Sequence, residues 1–255
     1  MTTPPIAPLT PSPLHTPHPA QLWLVRHGET DWNLQGRIQG HLPTTLNDTG
    51  RRQARDLARY FAGKPFTAIY ASDLPRARET AEIIARRWRT ARISKKENQK
   101  EIQEYQMPVQ TTPALRERDL GEYQGKTVEE YRVLRAAHAH GDLAQWTDVP
   151  GVETDAALWQ RAAAELQRIA AAHVGQDVLI VTHGGLLSMV VWQTLGIVVG
   201  HPRRFPLSNG ITVVISYHHE AFHLLSLVDM PLLFDHEIVP DTATPPAKRA
   251  SSSSV

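Results

Sequence analysis

The sequence predicts an α/β protein: a three-layer sandwich in which helices flank a largely parallel central sheet. Short apolar runs that end in polar turns alternate along the chain with longer segments of helical periodicity. One run, DVLIVTH at 177–183, has the apolar character of a strand buried inside a sheet. Strands that alternate with helices in this way are typical of parallel sheets covered on both faces.

The predicted elements cover most of the chain between its two ends. Apolar runs predict strands at 21–25, 67–71, 177–183, 210–217 and 221–228, the last two as a hairpin or as neighbours. Apolar residues at helical spacing predict helices at 49–63, 154–173 and 185–196, and a further helix with Pro75 in its first turn. The helix at 154–173 is expected to bury Trp159, Ala163, Leu166 and Ala170. Gly196 is placed to end the helix that precedes it.

Composition limits the classes of protein to which this chain can belong. With 255 residues, 41% of them hydrophobic and 21% charged, the chain can form one ordinary globular core. Its net charge of +1 provides no overall attraction to nucleic acid or membranes, so we expect neither as a partner. The absence of cysteine excludes disulfides and thiol nucleophiles. No apolar run approaches the ~18 residues that span a bilayer, and the N-terminus does not resemble a signal peptide, so we expect a cytoplasmic protein.

The chain divides into a central domain with an extension at each end. Residues 1–20 are rich in Pro and Thr and are predicted to be a disordered arm. The domain is predicted at 21–234, and residues 235–255 are predicted to be a disordered tail. Residues 89–106 are dense in Lys, Glu and Gln. They are interpreted as a charged insertion, either a solvated helix or a flexible surface loop.

Polar residues that are costly to bury follow three of the predicted strands. Arg26 and His27 end the first strand, Arg76 follows the second, and His183 ends the strand at 177–183. Ligand and catalytic groups of α/β sheets collect at the carboxyl ends of strands. Guanidinium groups match the oxygens of a phosphoryl group, and a neutral imidazole can attack phosphorus to form a covalent intermediate. The pattern therefore indicates phosphoryl transfer, which also needs a carboxylic acid to protonate the leaving group.

The segment LVRHGETDWN at 24–33 resembles the signature of the histidine phosphatase superfamily, whose fold is phosphoglycerate mutase-like. The resemblance continues in order through GRIQG (36–40), YASDLPRARETAEII (70–84), LRERDLGEYQG (115–125), VLIVTHGG (178–185) and SNGITVV (208–214). A three-residue match arises by chance, but six ordered segments over about residues 21 to 230 are specific.

The resemblance implies a catalytic set and a phosphate site. It implies that His27 is the nucleophile that becomes phosphohistidine, that Glu117 is the general acid and base, and that His183 completes the catalytic set. The residues that it implies for phosphate binding are Arg26, Arg76, Asn33 and the backbone N–H of Gly184. Because these side chains supply the positive charge, we expect neither a metal nor a cofactor.

Several of these assignments have alternatives. Glu117 has the neighbouring carboxylates Asp119 and Glu122, and it could instead pair with Arg116 or Arg118 at the surface. Asn33 could be only a turn residue. Gln39 could line the substrate side of the site or have no role in function. Glu153 and Thr154 are interpreted as residues that cap the N-terminus of the helix at 154–173 or place negative charge there. The histidines at 138, 140, 218 and 219 are interpreted as solvated or packing residues, since no third metal ligand accompanies them.

Within this family, hydrolysis is the preferred activity. The compact segment at 126–150 and the GRIQG motif resemble phosphatases more than mutases. The prediction is thus a phosphoric monoester hydrolase of the histidine acid phosphatase type, acting on a small phosphorylated metabolite. The alternatives are a cofactor-dependent phosphoglycerate mutase and a non-catalytic phosphate-binding module. The sequence selects no particular phosphomonoester, and a homodimer is left open.

Overall fold

A computed structural model describes residues 18–94, 107–138, 151–197 and 207–229. The strands are β1 Gln21–Arg26, β2 Phe66–Ser72, β3 Val109–Thr112, β4 Asp177–Thr182, β5 Thr212–His218 and β6 Ala221–Val228. The α-helices are α1 Asp31–Leu34, α2 Asp48–Tyr60, α3 Pro75–Ser94, α4 Val128–His138, α5 Asp155–Ala172 and α6 Gly184–Thr194. None of the helices within the described ranges is both long enough and apolar enough to cross a membrane.

The six strands form one sheet in the order β3-β2-β4-β1-β5-β6. The first four strands in this order are parallel, whereas β5 is antiparallel to β1, and β6 is antiparallel to β5. β1, β2 and β4 therefore end at the same edge of the sheet. Because β5 is antiparallel to β1, the chain enters β5 at that edge as well.

The predicted three-layer sandwich is confirmed by how β4 divides its side chains between two cores. Val178 and Ile180 belong to a core that includes residues of α5 and α6. Leu179 and Val181 belong to the core on the opposite face, which includes residues of α2 and α3. All four side chains are fully buried. Successive residues of a strand point to opposite faces, so a strand apolar throughout is stable only when both faces are covered.

The predicted buried face of α5 is partly wrong. Leu166 and Ala170 are buried as predicted, but Trp159 and Ala163 are only half-buried. The fully buried residues of this helix also include Leu158, Ala162 and Ile169. α5 is rich in alanine, so its apolar stripe is broad and its sequence does not fix the angle at which it packs. Trp159 lies at the margin, with its ring centroid 5.7 Å from that of Phe222 in β6.

The sequence analysis did not predict β3, α1 and α4, of which β3 and α1 have only four residues each. Of the charged segment at 89–106, the first part is helical, because α3 continues to Ser94, and residues 95–106 lie outside the described residues. Most of the predicted arm and the whole predicted tail also lie outside them. Ala20, at the end of the predicted arm, is buried beside β1.

Candidate functional site

The two predicted histidines lie side by side at the carboxyl edge of the sheet. β1 and β4 are paired so that Arg26 lies opposite Thr182, and the next residue of each chain segment is a histidine. The backbone N–H of His27 donates to the carbonyl of Thr182 (3.0 Å), which extends the pairing beyond the strands. The ring centroids of His27 and His183 are 5.1 Å apart. Both side chains are buried.

The hydrogen bonds of His27 indicate which of its ring nitrogens carries the proton. Nδ1 lies 2.7 Å from the carbonyl oxygen of Gly28. A carbonyl oxygen can only accept, so Nδ1 carries the proton. Nε2 accepts a hydrogen bond from Nε of Arg76 (3.2 Å) and therefore has its lone pair directed at the guanidinium. A lone pair on a neutral imidazole, facing a cation that can hold phosphate oxygens, suits attack on phosphorus.

Both imidazoles are held in the neutral form. Burial, and then the positive charges of Arg76 and Arg26, lower the pKa of His27 well below its ordinary value of 6.5. Burial and the charge of Arg76 likewise lower the pKa of His183 well below 6.5. Neither ring nitrogen of His183 has a hydrogen-bond partner among the described residues. A buried polar group without a partner is costly, which suggests that a bound group satisfies it.

Arg76 is a fully buried cation that is fixed by the loop after GRIQG. Its Nη2 donates to the carbonyl of Gly40 (2.8 Å), and its Nη1 donates to the carbonyl of Leu42 (3.0 Å) and to Oγ1 of Thr44 (3.2 Å). Burial lowers its pKa to about 10, so it remains charged at neutral pH. Its orientation toward His27 is therefore fixed before any ligand binds.

Arg26 and Gly184 meet at the first turn of α6. Arg26 donates from Nη1 to the carbonyl of Leu207. A Cβ on Gly184 would lie 3.3 Å from Nε of Arg26 and 3.4 Å from its Cζ, so glycine lets the guanidinium approach the helix. Gly184 is the first residue of α6, and His183 is its N-cap. The N–H groups and dipole at a helix N-terminus favour anions, and here they adjoin the guanidinium of Arg26.

Glu117 reaches the same helix terminus from the segment after β3. Its Oε2 accepts from the backbone N–H of Gly185 (2.9 Å), and its Oε1 accepts from that of Arg118 (2.8 Å). A Cβ on Gly185 would overlap the carboxylate, so glycine is required for this contact. The carboxylate thus lies one residue beyond the predicted anion-binding N–H of Gly184. This position is suitable for exchanging a proton with a leaving group.

The alternatives for Glu117 are disfavoured by the partners of its neighbours. Arg116 forms a bidentate pair with Asp73, and Arg118 pairs with Asp155. Each arginine thus has a different carboxylate partner. Oδ1 of Asp119 accepts from a backbone N–H within its own turn. Glu122 is exposed.

Asn33 and Gln39 have structural partners. Oδ1 of Asn33 accepts from the backbone N–H and the hydroxyl of Thr30, which forms a capping box at α1. This contact matches the turn alternative for Asn33, and its phosphate role stays a prediction. Oε1 of Gln39 accepts from the hydroxyl of Thr44 (2.5 Å) and lies 3.1 Å from Oγ1 of Thr30, so Gln39 connects the two loops around His27.

Two residues near the site were missed by the sequence analysis. Asn209, just before β5, donates from Nδ2 to the carbonyl of His27 (2.9 Å). It lies in the SNGITVV segment, which was used only for the resemblance. His41 lies beside Glu117, with Nε2 2.7 Å from the carbonyl of Glu117. The only sequence feature that could have pointed to His41 is its position directly after GRIQG.

Other predicted polar residues lie elsewhere. Thr154 caps α5 by accepting from the N–H of Ala157, as predicted. His218 stacks on His223 with ring centroids 3.9 Å apart at the end of the β5–β6 hairpin. Across the described ranges, no group of three or more histidines or carboxylates is arranged to hold a metal ion.

Known proteins resemble this chain in both fold and sequence. The fold superposes on the structure of "Bacillus stearothermophilus YhfR" with a TM-score of 0.66 and 30% identity, covering 80% of this chain and 95% of the other. "Phosphoglycerate mutase-like protein 4" from Arabidopsis thaliana is 40% identical over 66% of this chain and 68% of its own length. "Metal-independent phosphoserine phosphatase" from the same plant is 33% identical over 67% and 66% of the two chains. Such relatives indicate a phosphatase or a mutase.

The chain belongs to the histidine phosphatase superfamily (branch 1), whose family profile it matches over residues 22–230. This result confirms the resemblance and the phosphoglycerate mutase-like fold inferred from the sequence.

Proposed function

We propose that this protein is a metal-independent phosphomonoesterase that hydrolyses a small phosphorylated metabolite through a phosphohistidine at His27. The observation that carries the proposal is the state of His27: a buried, neutral imidazole whose Nε2 lone pair faces Arg76. Such an imidazole is nucleophilic at neutral pH, and the cation in front of it can hold the group to be attacked.

In the first step, Nε2 of His27 forms a bond to phosphorus while the bond from phosphorus to the substrate oxygen breaks. Arg26, Arg76 and the N–H of neutral His183 stabilise the charge on the three remaining oxygens. Glu117, in its protonated form, gives its proton to the departing alkoxide. The products of this step are the free alcohol and phosphohistidine.

In the second step, water attacks phosphorus and the bond between phosphorus and Nε2 breaks. Glu117, now a carboxylate, takes a proton from the water as it attacks. Inorganic phosphate leaves, and His27 and Glu117 return to their starting states.

The mutase alternative differs only in what accepts the phosphoryl group. It is supported by the name of the relative that is 40% identical. Hydrolysis is supported by the name of the phosphoserine phosphatase and by the short length of the sequence segment at 126–150. A mutase must keep the phosphorylated acid in place and transfer phosphate back to it, whereas a phosphatase must admit water.

Phosphate release from a panel of sugar phosphates, phosphoserine, phosphoglycerates and nucleotides tests the proposal. The wild type is compared with His27→Ala, with EDTA present throughout. His219→Ala is the control, because that histidine is exposed on the β5–β6 turn. We expect release by the wild type and the control and none by His27→Ala. An acid-labile phosphoryl label should form on the wild type and the control but not on His27→Ala.

The other outcomes are informative as well. Undiminished turnover by His27→Ala would exclude the nucleophile, and activity that EDTA abolishes and added metal restores would exclude metal independence. Interconversion of phosphoglycerates that depends on a bisphosphoglycerate primer, without phosphate release, would identify a mutase. A cytoplasmic location stays a prediction of the sequence, and a homodimer stays open.

A further inference from the structure

We propose that Arg161 and Glu153 form a positioning pair that holds Glu117 in place for proton transfer. The inference rests on the proposed function, because it assigns to the pair a role in the step that Glu117 performs. Glu153 directly precedes the cap of α5, and Arg161 lies two turns into that helix. The sequence analysis interpreted Glu153 only as a residue at the N-terminus of the helix, and it assigned no role to Arg161.

All five N–H donors of Arg161 have acceptors. Nε and Nη2 donate to the two carboxylate oxygens of Glu153 at 2.6 and 2.8 Å. Nη1 donates to the carbonyls of Ala114 and Arg116, both at 2.9 Å. The second donor of Nη2 reaches the carbonyl of Glu117 at 2.8 Å. One planar guanidinium therefore fixes three carbonyls of the segment that carries Glu117.

Glu153 holds the other side of the same segment. Its Oε2 accepts from the backbone N–H of Asp119 (3.2 Å), and its own N–H donates to the carbonyl of Asp119 (2.8 Å). The contacts thus bracket Glu117 from residue 114 to residue 119. With exposed side-chain fractions of 23% for Arg161 and 14% for Glu153, the pair is mostly shielded from water and well ordered by its contacts.

This clamp determines where the Glu117 carboxylate can lie. Leu115 is fully buried, and its carbonyl accepts from Oγ1 of Thr182 (2.8 Å) at the end of β4. The backbone of the segment is thereby fixed relative to α6, whose Gly185 N–H the carboxylate contacts. A shift of about 1 Å in a group that transfers a proton can cost about 100-fold in rate. The fork of Arg161 is therefore placed to preserve catalysis as well as the fold.

The test compares substrates that need the acid with one that does not. Arg161→Lys keeps the charge but cannot contact three carbonyls and a carboxylate at once. We expect kcat/KM for alkyl phosphates such as glycerol phosphate to fall about 10- to 100-fold. For p-nitrophenyl phosphate, whose leaving group needs little protonation, we expect a change of less than about 3-fold. kcat/KM is used because it reports the step in which the leaving group departs.

Arg168→Lys is the matched control. Arg168 lies on the same helix and forms a similar bidentate pair with Glu165 (2.8 and 2.9 Å), but 55% of its side chain is exposed and the pair does not contact the Glu117 segment. We expect this variant to retain wild-type activity on both substrates. Glu153→Gln removes the negative charge and one of the two oxygens that accept from Arg161. It serves as a second variant should Arg161→Lys not fold. It should show the same discrimination between substrates.

A double-mutant cycle separates positioning from a general structural role. If Arg161 acts through Glu117, Arg161→Lys should have almost no further effect on alkyl phosphates in the Glu117→Gln background. Equal slowing of both substrates, or an undiminished effect in that background, would overturn the inference. Failure of the proposed function would look different: the wild type would release no phosphate, or His27→Ala would remain active.

Discussion

The folded chain buries two neutral histidines, so lowering the pH should destabilise it relative to the unfolded chain. His27 and His183 are both buried, and their pKa values are lowered well below 6.5. In the unfolded chain each imidazole has a pKa of about 6.5. As the pH falls below that value, the unfolded chain takes up protons that the folded chain does not. Stability is therefore fully present above about pH 7.5 and is lost progressively as the pH falls toward the folded-state pKa values.

The size of the effect follows from proton linkage. One imidazole that stays neutral in the folded chain lowers the free energy of unfolding by about 1.4 kcal/mol between pH 7.5 and 5.5. Two such residues lower it by about 3 kcal/mol, a large fraction of the stability of a typical domain. Over this range most carboxylates remain ionised, so they contribute little to the change.

Urea unfolding at pH 7.5, 6.5 and 5.5 measures this loss, in buffers without phosphate or sulfate because those anions would bind the site. The variant His27→Asn/His183→Asn should lose about 3 kcal/mol less than the wild type over the same range, whatever its stability at pH 7.5. His219→Asn is the control, since His219 is exposed and its backbone φ of 50° is one that asparagine tolerates. An equal pH dependence in the wild type and the double variant would refute the neutral-pair argument.

Two further substitutions test the site, and a third tests the packing beside it. Glu117→Gln should lower kcat/KM for alkyl phosphates by about 100-fold or more while sparing p-nitrophenyl phosphate, and equal slowing of the two would indicate a different acid. Gly185→Ala should reproduce this pattern more weakly, about 10-fold, because its Cβ would displace the Glu117 carboxylate. Unchanged kinetics would mean that the observed carboxylate position is not needed. Gly50→Ala should destabilise the fold by about 2–3 kcal/mol in urea unfolding, because a Cβ there collides with the backbone of Glu29. An unchanged midpoint would contradict that packing.

The sequence was sufficient to find His27, His183 and Arg76 because each follows a strand whose apolar run marks its end. Once the strands are parallel, their carboxyl ends must meet, and the three residues become neighbours without any knowledge of the register. The same reasoning could not find β3, because VQTT is short, polar and only partly buried. Its place in the sheet depends on pairing with β2, which no local pattern specifies.

The residues that hold the site in place were harder to predict than those that would perform the chemistry. Arg161 is one arginine among several on charged helices, and only the packing of α5 turns it toward the Glu117 segment. Asn209 reaches His27 because β5 is antiparallel to β1, and the sequence alone left open how that strand is placed. For Asn33, the motif supplied the position, but the capping box with Thr30 appears only in the folded backbone.

The position of β1 in the sheet has a consequence for biosynthesis. Of the described strands, β1 leaves the ribosome first, yet both of its neighbours, β4 and β5, come from the last third of the chain. His27 is therefore translated early, but its backbone contact with Thr182 forms only when β4 docks. During that interval the nascent chain exposes an apolar strand with two open edges, which is a hazard for aggregation. The buried, neutral state on which the proposed role of His27 depends therefore forms only when the centre of the sheet does.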